Sequence, residues 1–311
     1  MSLLNTIKKI VYLAPVRCGR TFYEVEITEN NDNITVSFTP TDKYLMVDPR
    51  REVEEFMPAH IHAFEKWQHI GLIVGSLEYF LNENSIEFSY VKNPTNVLLT
   101  LSKTDKGLVG IEKQEKLKHA HRTFNSDVEV DSETMTIVNK LIDNFLVEHK
   151  GNKIIVTDSV LRKKISALAT YWDVQGDTNP SERPPQMVTA PALLCIPPKD
   201  YDLDYYFNMG RLYAEIGLVA LSRGYQLAYC NAFDLFDPRA KLIEDTLCIE
   251  YGSYTKDNVP PRPWICIGKA LDPTKLYNWV TGDRYAYNDN LMVTCILTSK
   301  DYVKVNELEH V

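Results

Sequence analysis

Paired cysteines, long apolar runs and an excess of positive charge are all missing from this 311-residue chain. The six cysteines, at 18, 195, 230, 248, 266 and 294, include no CxxC pair, and their spacing fits no zinc template. Scattered thiols of this kind read as reduced and mostly buried, in a reducing compartment, with no disulfide and no structural metal. No apolar run approaches the roughly 20 residues that cross a bilayer. The opening "MSLLNTIKKIVYLAP" carries lysines inside its apolar stretch and no cleavage-site pattern, so it does not read as a signal peptide. Together these absences predict a cytoplasmic chain with no membrane partner. Lys and Arg total 34 against 42 Asp and Glu, a formal net charge of -8. Sequence-independent nucleic-acid binding needs a basic face, so nucleic acid is not an expected partner. GxGxxG and GxxxxGKS are absent, which leaves NAD-fold and P-loop readings without support; GxSxG and HExxH are absent too.

What is present is ordinary globular material, 44% hydrophobic and 24% charged, enough for one large domain or two. Residues 8–14 and 21–28 read as strands, and "NNDN" at 30–33 as a hairpin turn before "ITVSFTP". "DPRREVEEFM" opens a short helix, with Asp48 as cap and Pro49 at the first helical position. A long helix is expected over 60–83, with Ile70, Ile73, Leu77, Phe80 and Leu81 on one face. "SIEFSYV" and "NVLLTLSK" are strands, and "GIEKQEKLKHAHR" is a polar boundary helix. A first domain is therefore expected over 1–111 and a second over 112–311. In the second, Asp131 or Ser132 caps a helix that Gly151 stops. "NKIIVTD", "APALLCIPP", "YQLAYCNAF" and "WICIGKAL" read as strands, and 203–223 as a strongly apolar helix ending at Gly224. Asp158 or Ser159 caps a helix beginning "SVLRKK", which a Pro-rich loop follows.

The two parts share a unit of long apolar helix, tight turn and strand. With a shift of 139 and no gaps, "HIGLIVGSLEYFLNENSIEFSY" lies on "NMGRLYAEIGLVALSRGYQLAY". Gly71 falls on Gly210, Leu77 on Ile216, Phe88 on Leu227 and Tyr90 on Tyr229. The helix stop and the strand pattern stay in register, which points to an internal duplication.

Two histidine pairs, at 60 and 62 and at 119 and 121, look metal-like. Histidines two apart share a face only in a strand, and both pairs sit in or beside helical stretches without a third ligand. They read as surface or packing residues. Trp67 and His69 read as core or interface, and Tyr201, Tyr205, Tyr206 and Phe207 as a packed helix start rather than the wall of a ligand site.

"MVTAPALLCIPP" followed by the helix at 203–223 resembles the C-terminal half of the nitroreductase superfamily of FMN enzymes. "KHAHRTF" (118–124) stands where that family carries Arg-Arg-Ser-x-Arg-x-Phe. Lys118 falls on the first arginine, Ala120 on the serine, Arg122 on the last basic residue and Phe124 on the aromatic. "APVRCGRTFYEVEI" resembles the Ala-Pro-Ser-x-Gly-x-x-Tyr-Pro-x-Glu motif of the tandem-domain flavin oxidases that act on azolines. Ala14, Pro15 and Gly19 match, Tyr23 matches with a one-residue slip, and Glu24 follows. "KYLMVDPRREVEEF" is similar to the Tyr-x-Tyr-Asp-Pro segment that comes next in that branch.

The resemblance implies an α+β fold of two fused nitroreductase-like units, with antiparallel-rich sheets and long central helices. It implies an FMN-dependent oxidoreductase that moves a hydride between flavin and a small organic substrate, with room for a homodimer. Ala14, Pro15, Arg17, Gly19, Lys118, Ala120 and Arg122 are the implied cofactor residues; no acid or base stands out. The first unit has the Ala-Pro loop but too few residues before it for a basic helix. The second has the basic segment, but only "FLVEHKGN" where its loop should fall. Each keeps the half-site that the other lacks, so one FMN per chain is expected. Departures set up the alternative: Val16 and Ala120 replace two serines, and Lys118 gives up the guanidinium fork. A chain without those contacts would be a flavin-free binding or assembly module.

Overall fold

The computed structural model describes residues 2–13, 23–41, 59–104, 107–117, 124–162, 189–199, 202–230 and 264–270. Its first element corrects an expectation. Where residues 8–14 read as a strand, the chain forms helix α1, Leu3–Leu13. Leu3, Ile7, Ile10 and Val11 are buried at helical spacing, while Lys8 and Lys9 are only half-buried. The Ser2 side chain accepts the Asn5 N–H at 3.3 Å and starts the helix. The strand reading took only the β-branched end of a pattern that begins at Leu3.

The remaining elements follow the hydropathy pattern closely. Strands β1 (Tyr23–Glu29) and β2 (Asn33–Pro40) are joined by a turn in which Asn30 Oδ1 accepts the N–H of Asp32 at 3.0 Å and of Asn33 at 2.7 Å. Helix α2 (Ala59–Glu83) and strands β3 (Phe88–Lys92) and β4 (Val97–Ser102) follow, then α3 (Ile111–Leu117). The second series is α4 (Ser132–Glu148), β5 (Ile154–Val156), β6 (Ala192–Cys195), α5 (Leu203–Ser222), β7 (Gln226–Cys230) and β8 (Trp264–Gly268). The helix expected at 48–57, most of the one beginning at Ser159 and the Pro-rich loop lie outside the described residues.

The fold is α+β, and among the described residues there are two four-stranded antiparallel sheets, ordered β1-β2-β4-β3 and β5-β6-β8-β7. Each series runs helix, two strands, long helix, two strands, and each sheet places its fourth strand between its second and third. The chain divides into two compact units. The first takes in Met1–His119 and Tyr206–Leu218; the second takes in Ala120–Tyr205 and Val219–Lys275. The middle of α5 thus belongs to one unit and its ends to the other.

In the first unit, β2 buries Ile34, Val36 and Phe38, and β4 buries Val97, Leu99 and Leu101. Alternate residues on these strands stay outside, the period-two signature of a sheet covered on one face. Helix α2 is buried continuously from Trp67 to Leu77, as befits a helix with neighbours on every side. In the second unit, every residue of β6 and β8 is buried. Phe124, Ile154, Val156, Ala190, Leu193, Cys195, Ala228, Trp264 and Cys266 form one core there, with Cys195 and Cys266 as free thiols.

The two long helices end alike. Ser85 and Gly224 both adopt left-handed backbone, at φ 53 and φ 81. Ile86 N–H donates to Leu81 O, and Tyr225 N–H donates to Ala220 O, both at 2.9 Å. These pairs are the ones that the shift of 139 lays on each other. Strand register agrees: Phe88 faces Leu101 and Tyr90 faces Leu99, while Leu227 faces Ile267 and Tyr229 faces Ile265.

Candidate functional site

Ala14, Pro15, Arg17, Gly19, Lys118, Ala120 and Arg122 all lie outside the described residues. What the structure does describe is the frame on either side of them. The Ala-Pro stretch falls in the α1–β1 connection, residues 14–22. The basic run leads directly into Phe124, and Phe124 is firmly held. Its N–H donates to Thr189 Oγ1 at 2.9 Å, and its backbone bridges Ala270 at the end of β8. Asn125 N–H donates to Lys269 O at 2.8 Å as part of that bridge. The Phe124 ring is 1% exposed and lies across Gly268. A Cβ at Gly268 would stand 2.9 Å from Phe124 Cδ1 and 2.5 Å from Pro191 Cδ, so only glycine fits there.

Arg162 closes the same corner. It is buried, its Nη1 donates to Ala190 O and its Nε donates to Thr157 O at 3.3 Å. Burial pulls its pKa down from the ordinary arginine value, against the fields of Asp158 and Glu129. Asp158, one of the two expected caps, accepts the Leu161 N–H at 2.8 Å.

The second unit's counterpart of the Ala-Pro stretch is the α4–β5 connection, residues 149–153. It is short and filled. Gly151 bridges Pro198, and a Cβ there would stand 2.2 Å from Tyr205 Oη. Tyr205 donates to Ile196 O at 3.0 Å, and its ring packs against Phe145 and His149. Burial pushes the Tyr205 hydroxyl well above the usual phenol range, so it stays a neutral donor. Tyr205, Tyr206 and Phe207 are buried, as a packed helix start requires; Tyr201 lies outside the described residues.

Two further polar clusters lie among the described residues. In the second unit, Asp131 caps α4: Oδ1 accepts the Thr134 N–H and Oδ2 the Thr134 hydroxyl, both at 2.7 Å, while its own N–H donates to Tyr225 Oη at 2.9 Å. The two Thr134 bonds to the carboxylate, with the Tyr225 hydroxyl beside it, hold the carboxyl down at about 2. Arg223 reaches Glu133 and Thr134 Oγ1. In the first unit, Arg211 grips Glu78 with two nitrogens, Nε to Oε2 at 2.8 Å and Nη2 to Oε1 at 2.9 Å, and lies over the Tyr90 ring at 4.8 Å. Burial would lower the Arg211 pKa, but the Glu78 bonds and charge more than offset it. Trp67 and His69 are buried in the same unit, so they belong to the core. Among the described residues no group of three or more His, Cys, Asp or Glu is placed to hold a metal ion. Nor is any described helix long and apolar enough to cross a membrane.

Comparison with known proteins gives fold likenesses only. The chain is similar to a nitroreductase-like protein from Streptococcus mutans: 14% identity over 50% of this chain and 86% of that one, TM-score 0.36. It is also similar to a nitroreductase with bound FMN from Desulfitobacterium hafniense, at 18% identity over 56% and 95%, TM-score 0.38. An FMN-dependent nitroreductase from Clostridium difficile gives 18% identity over 51% and 87%, TM-score 0.36. No family model and no curated protein matches the chain. A likeness at this level assigns neither a reaction nor a ligand to the chain.

Sequence reasoning passed over Thr189, Arg162 and Gly268. Each acts across a long loop, Thr189 on a residue 65 positions away, and no short motif signals such a bond. The nearest signal was the Ala-Pro pair that follows Thr189.

Proposed function

We propose that the protein is an FMN-dependent oxidoreductase of the nitroreductase type, cytoplasmic, and closest in plan to the tandem azoline-oxidising branch. The observation that carries this reading is the complementary layout of two motifs on two series of elements with the same strand order. The first series has the Ala-Pro loop in its helix–strand connection. The second has the basic run before its first helix, and its own helix–strand connection is filled by Gly151 and Tyr205. We infer that the two series arose by duplication and that one site survives per chain.

The donor set suits the group. FMN ends in a phosphate dianion, and Lys118 and Arg122, with Arg17, supply the opposite charge. Pro15 and Gly19 are residue types that suit a tight turn, and Ala14 and Gly19 carry little side chain to keep a flat ring away. When bound, FMN supplies the hydride chemistry; the chain's own residues bind it, orient it and set the charge around it. The substrate is a small organic molecule taking or giving that hydride. A homodimer is compatible with this arrangement.

Titration of flavin fluorescence tests the reading. The wild-type chain should bind one FMN per chain and turn yellow. Arg122→Ala should weaken binding about thirtyfold, which corresponds to about 2 kcal/mol for a lost charged contact. Lys103→Ala, at an exposed lysine paired with Glu29, should leave binding unchanged. Two flavins per chain, or equal binding by both variants, would sink the single-site reading. Val16 and Ala120, which replace two serines, favour one other reading, a flavin-free assembly module. A colourless protein that takes up no added FMN would establish it.

A further inference from the structure

We propose that residues 107–114 form a releasable strap, fastened to α2 by polar contacts and opening as one unit while α2 and its sheet stay folded. Side chains at and just past the end of α2 make most of the fastening. Asn84 pairs with both backbone groups of Val109, as a neighbouring strand would. Its Oδ1 accepts the Val109 N–H at 2.9 Å, and its Nδ2 donates to Val109 O at 3.1 Å. The same Nδ2 donates to Phe80 O at 2.8 Å, which fixes the Asn84 side chain against the helix. Beside it, the Glu83 carboxylate covers Gly110, which holds φ 83; a Cβ there would stand 2.0 Å from Glu83 Oε2. Glu83 Oε1 accepts from Lys113 Nζ, which also lies over the Tyr79 ring, 5.8 Å from its centroid. Gln114 closes the far end, its Nε2 donating to Ser76 O at 3.1 Å.

Apolar burial contributes little to this attachment. Among residues 107–114 only Gln114 is buried, and it is polar; Val109 is 57% exposed. The helix underneath differs, with Leu77, Phe80 and Leu81 fully buried. A surface segment held by a few hydrogen bonds and one ion pair opens far more readily than a packed core. The Lys113 and Glu83 side chains are 35% and 27% exposed, so salt screens their attraction and weakens the fastening. The strap leads into α3, the last described element of the first unit before the division between His119 and Ala120. Opening uncovers Ser76 O and frees the start of α3. Ionic strength would thus set how firmly the chain is held where it leaves the first unit, whether or not flavin is bound.

Native-state hydrogen exchange of the full chain, followed against low concentrations of denaturant, tests the strap. In the wild type, the Val109 and Lys113 amides should share one opening equilibrium with a shallow denaturant slope. The amides of β4 should exchange only with the steep slope of global unfolding. In Asn84→Ala the Lys113 amide should exchange roughly tenfold to thirtyfold faster, although its own bond, to Gly110 O at 3.2 Å, is untouched. Raising sodium chloride from about 0.05 M to about 1 M should speed the wild-type Lys113 amide about twofold to fourfold relative to β4; Glu83→Gln should start faster and respond less. A Lys113 amide that keeps its wild-type rate in Asn84→Ala would overturn the strap, because Asn84 would then hold Val109 alone. Strap amides that exchange with the steep global slope would overturn it as well, and the wild type decides that point even if Asn84→Ala does not fold. Equal salt responses in wild type and Glu83→Gln would overturn its ionic control.

Discussion

Single residues show where local geometry is tight. Ser85 holds φ 53 without being glycine, while its counterpart Gly224 holds φ 81 at no steric cost. Ser85→Gly should therefore be neutral or stabilising, and Gly224→Ala should cost about 1 kcal/mol; thermal unfolding of both variants checks the pair. Asp131 makes a second test. Its carboxyl is depressed from 3.8 to about 2 by the Thr134 and Tyr225 hydrogen bonds, so the folded chain favours the ionised form. The stabilisation is present in full above the ordinary carboxylate range and is lost as pH falls through about 2. Asp131→Ala should lower Tm by a few degrees at pH 7, and the gap to wild type should close between about pH 4 and pH 2. A constant gap across that window would show that the ionised cap is not what matters.

The decisive pair of elements is α2 with the middle of α5, both inside the first unit. A Cβ on Gly71 would stand 2.0 Å from Phe207 O, and one on Gly210 would stand 2.2 Å from Gln68 O. The shift of 139 lays Gly71 on Gly210 and Gln68 on Phe207, so the contact is reciprocal. Glycine lets the two backbones meet, and any side chain there forces them apart. Gly71→Ala and Gly210→Ala should each cost about 1–3 kcal/mol by overpacking. They share one crossing, so the double variant should fall short of the sum. Chemical denaturation of the three variants measures this, and full additivity would count against a shared contact. The bidentate Arg211–Glu78 pair fastens the same helices; with side chains 29% and 13% exposed it is worth more than a surface pair. Glu78→Gln should cost about 1–2 kcal/mol, scored by the same denaturation experiment.

At the scale of the whole molecule, the assignment of Tyr206–Leu218 to the first unit means that residues 1–119 contain only part of their core. Phe64 packs on Tyr206, with ring centroids 4.7 Å apart, and Trp67 packs edge-on to Phe207. A fragment of residues 1–119 would leave the apolar side of α2 uncovered, and exposed apolar area of that size drives association. Expressed alone, it should run as aggregate or show no near-UV dichroism, whereas the full chain unfolds cooperatively. A monodisperse, cooperatively folded fragment would contradict the division.

Short-range order was written in the residues. Helix stops at Glu83 and Ser222, the Asn30 turn, the Asp131 cap and the alternating strands all come from neighbours a few positions apart, whose preferences act within one turn or one pleat. The in-register repeat was legible for the same reason. Residues 8–14 misread because a β-branched run carries no mark of helix or strand until Leu3, Ile7 and the Ser2 cap are read with it. Tertiary structure alone decided that each fourth strand inserts between the second and third, and that Arg211 meets Glu78 133 residues away. It alone tied Phe124 to Thr189 and closed the α4–β5 connection with Tyr205. Such contacts depend on which surfaces the folded chain brings together, and they leave no periodic trace in the residues that make them.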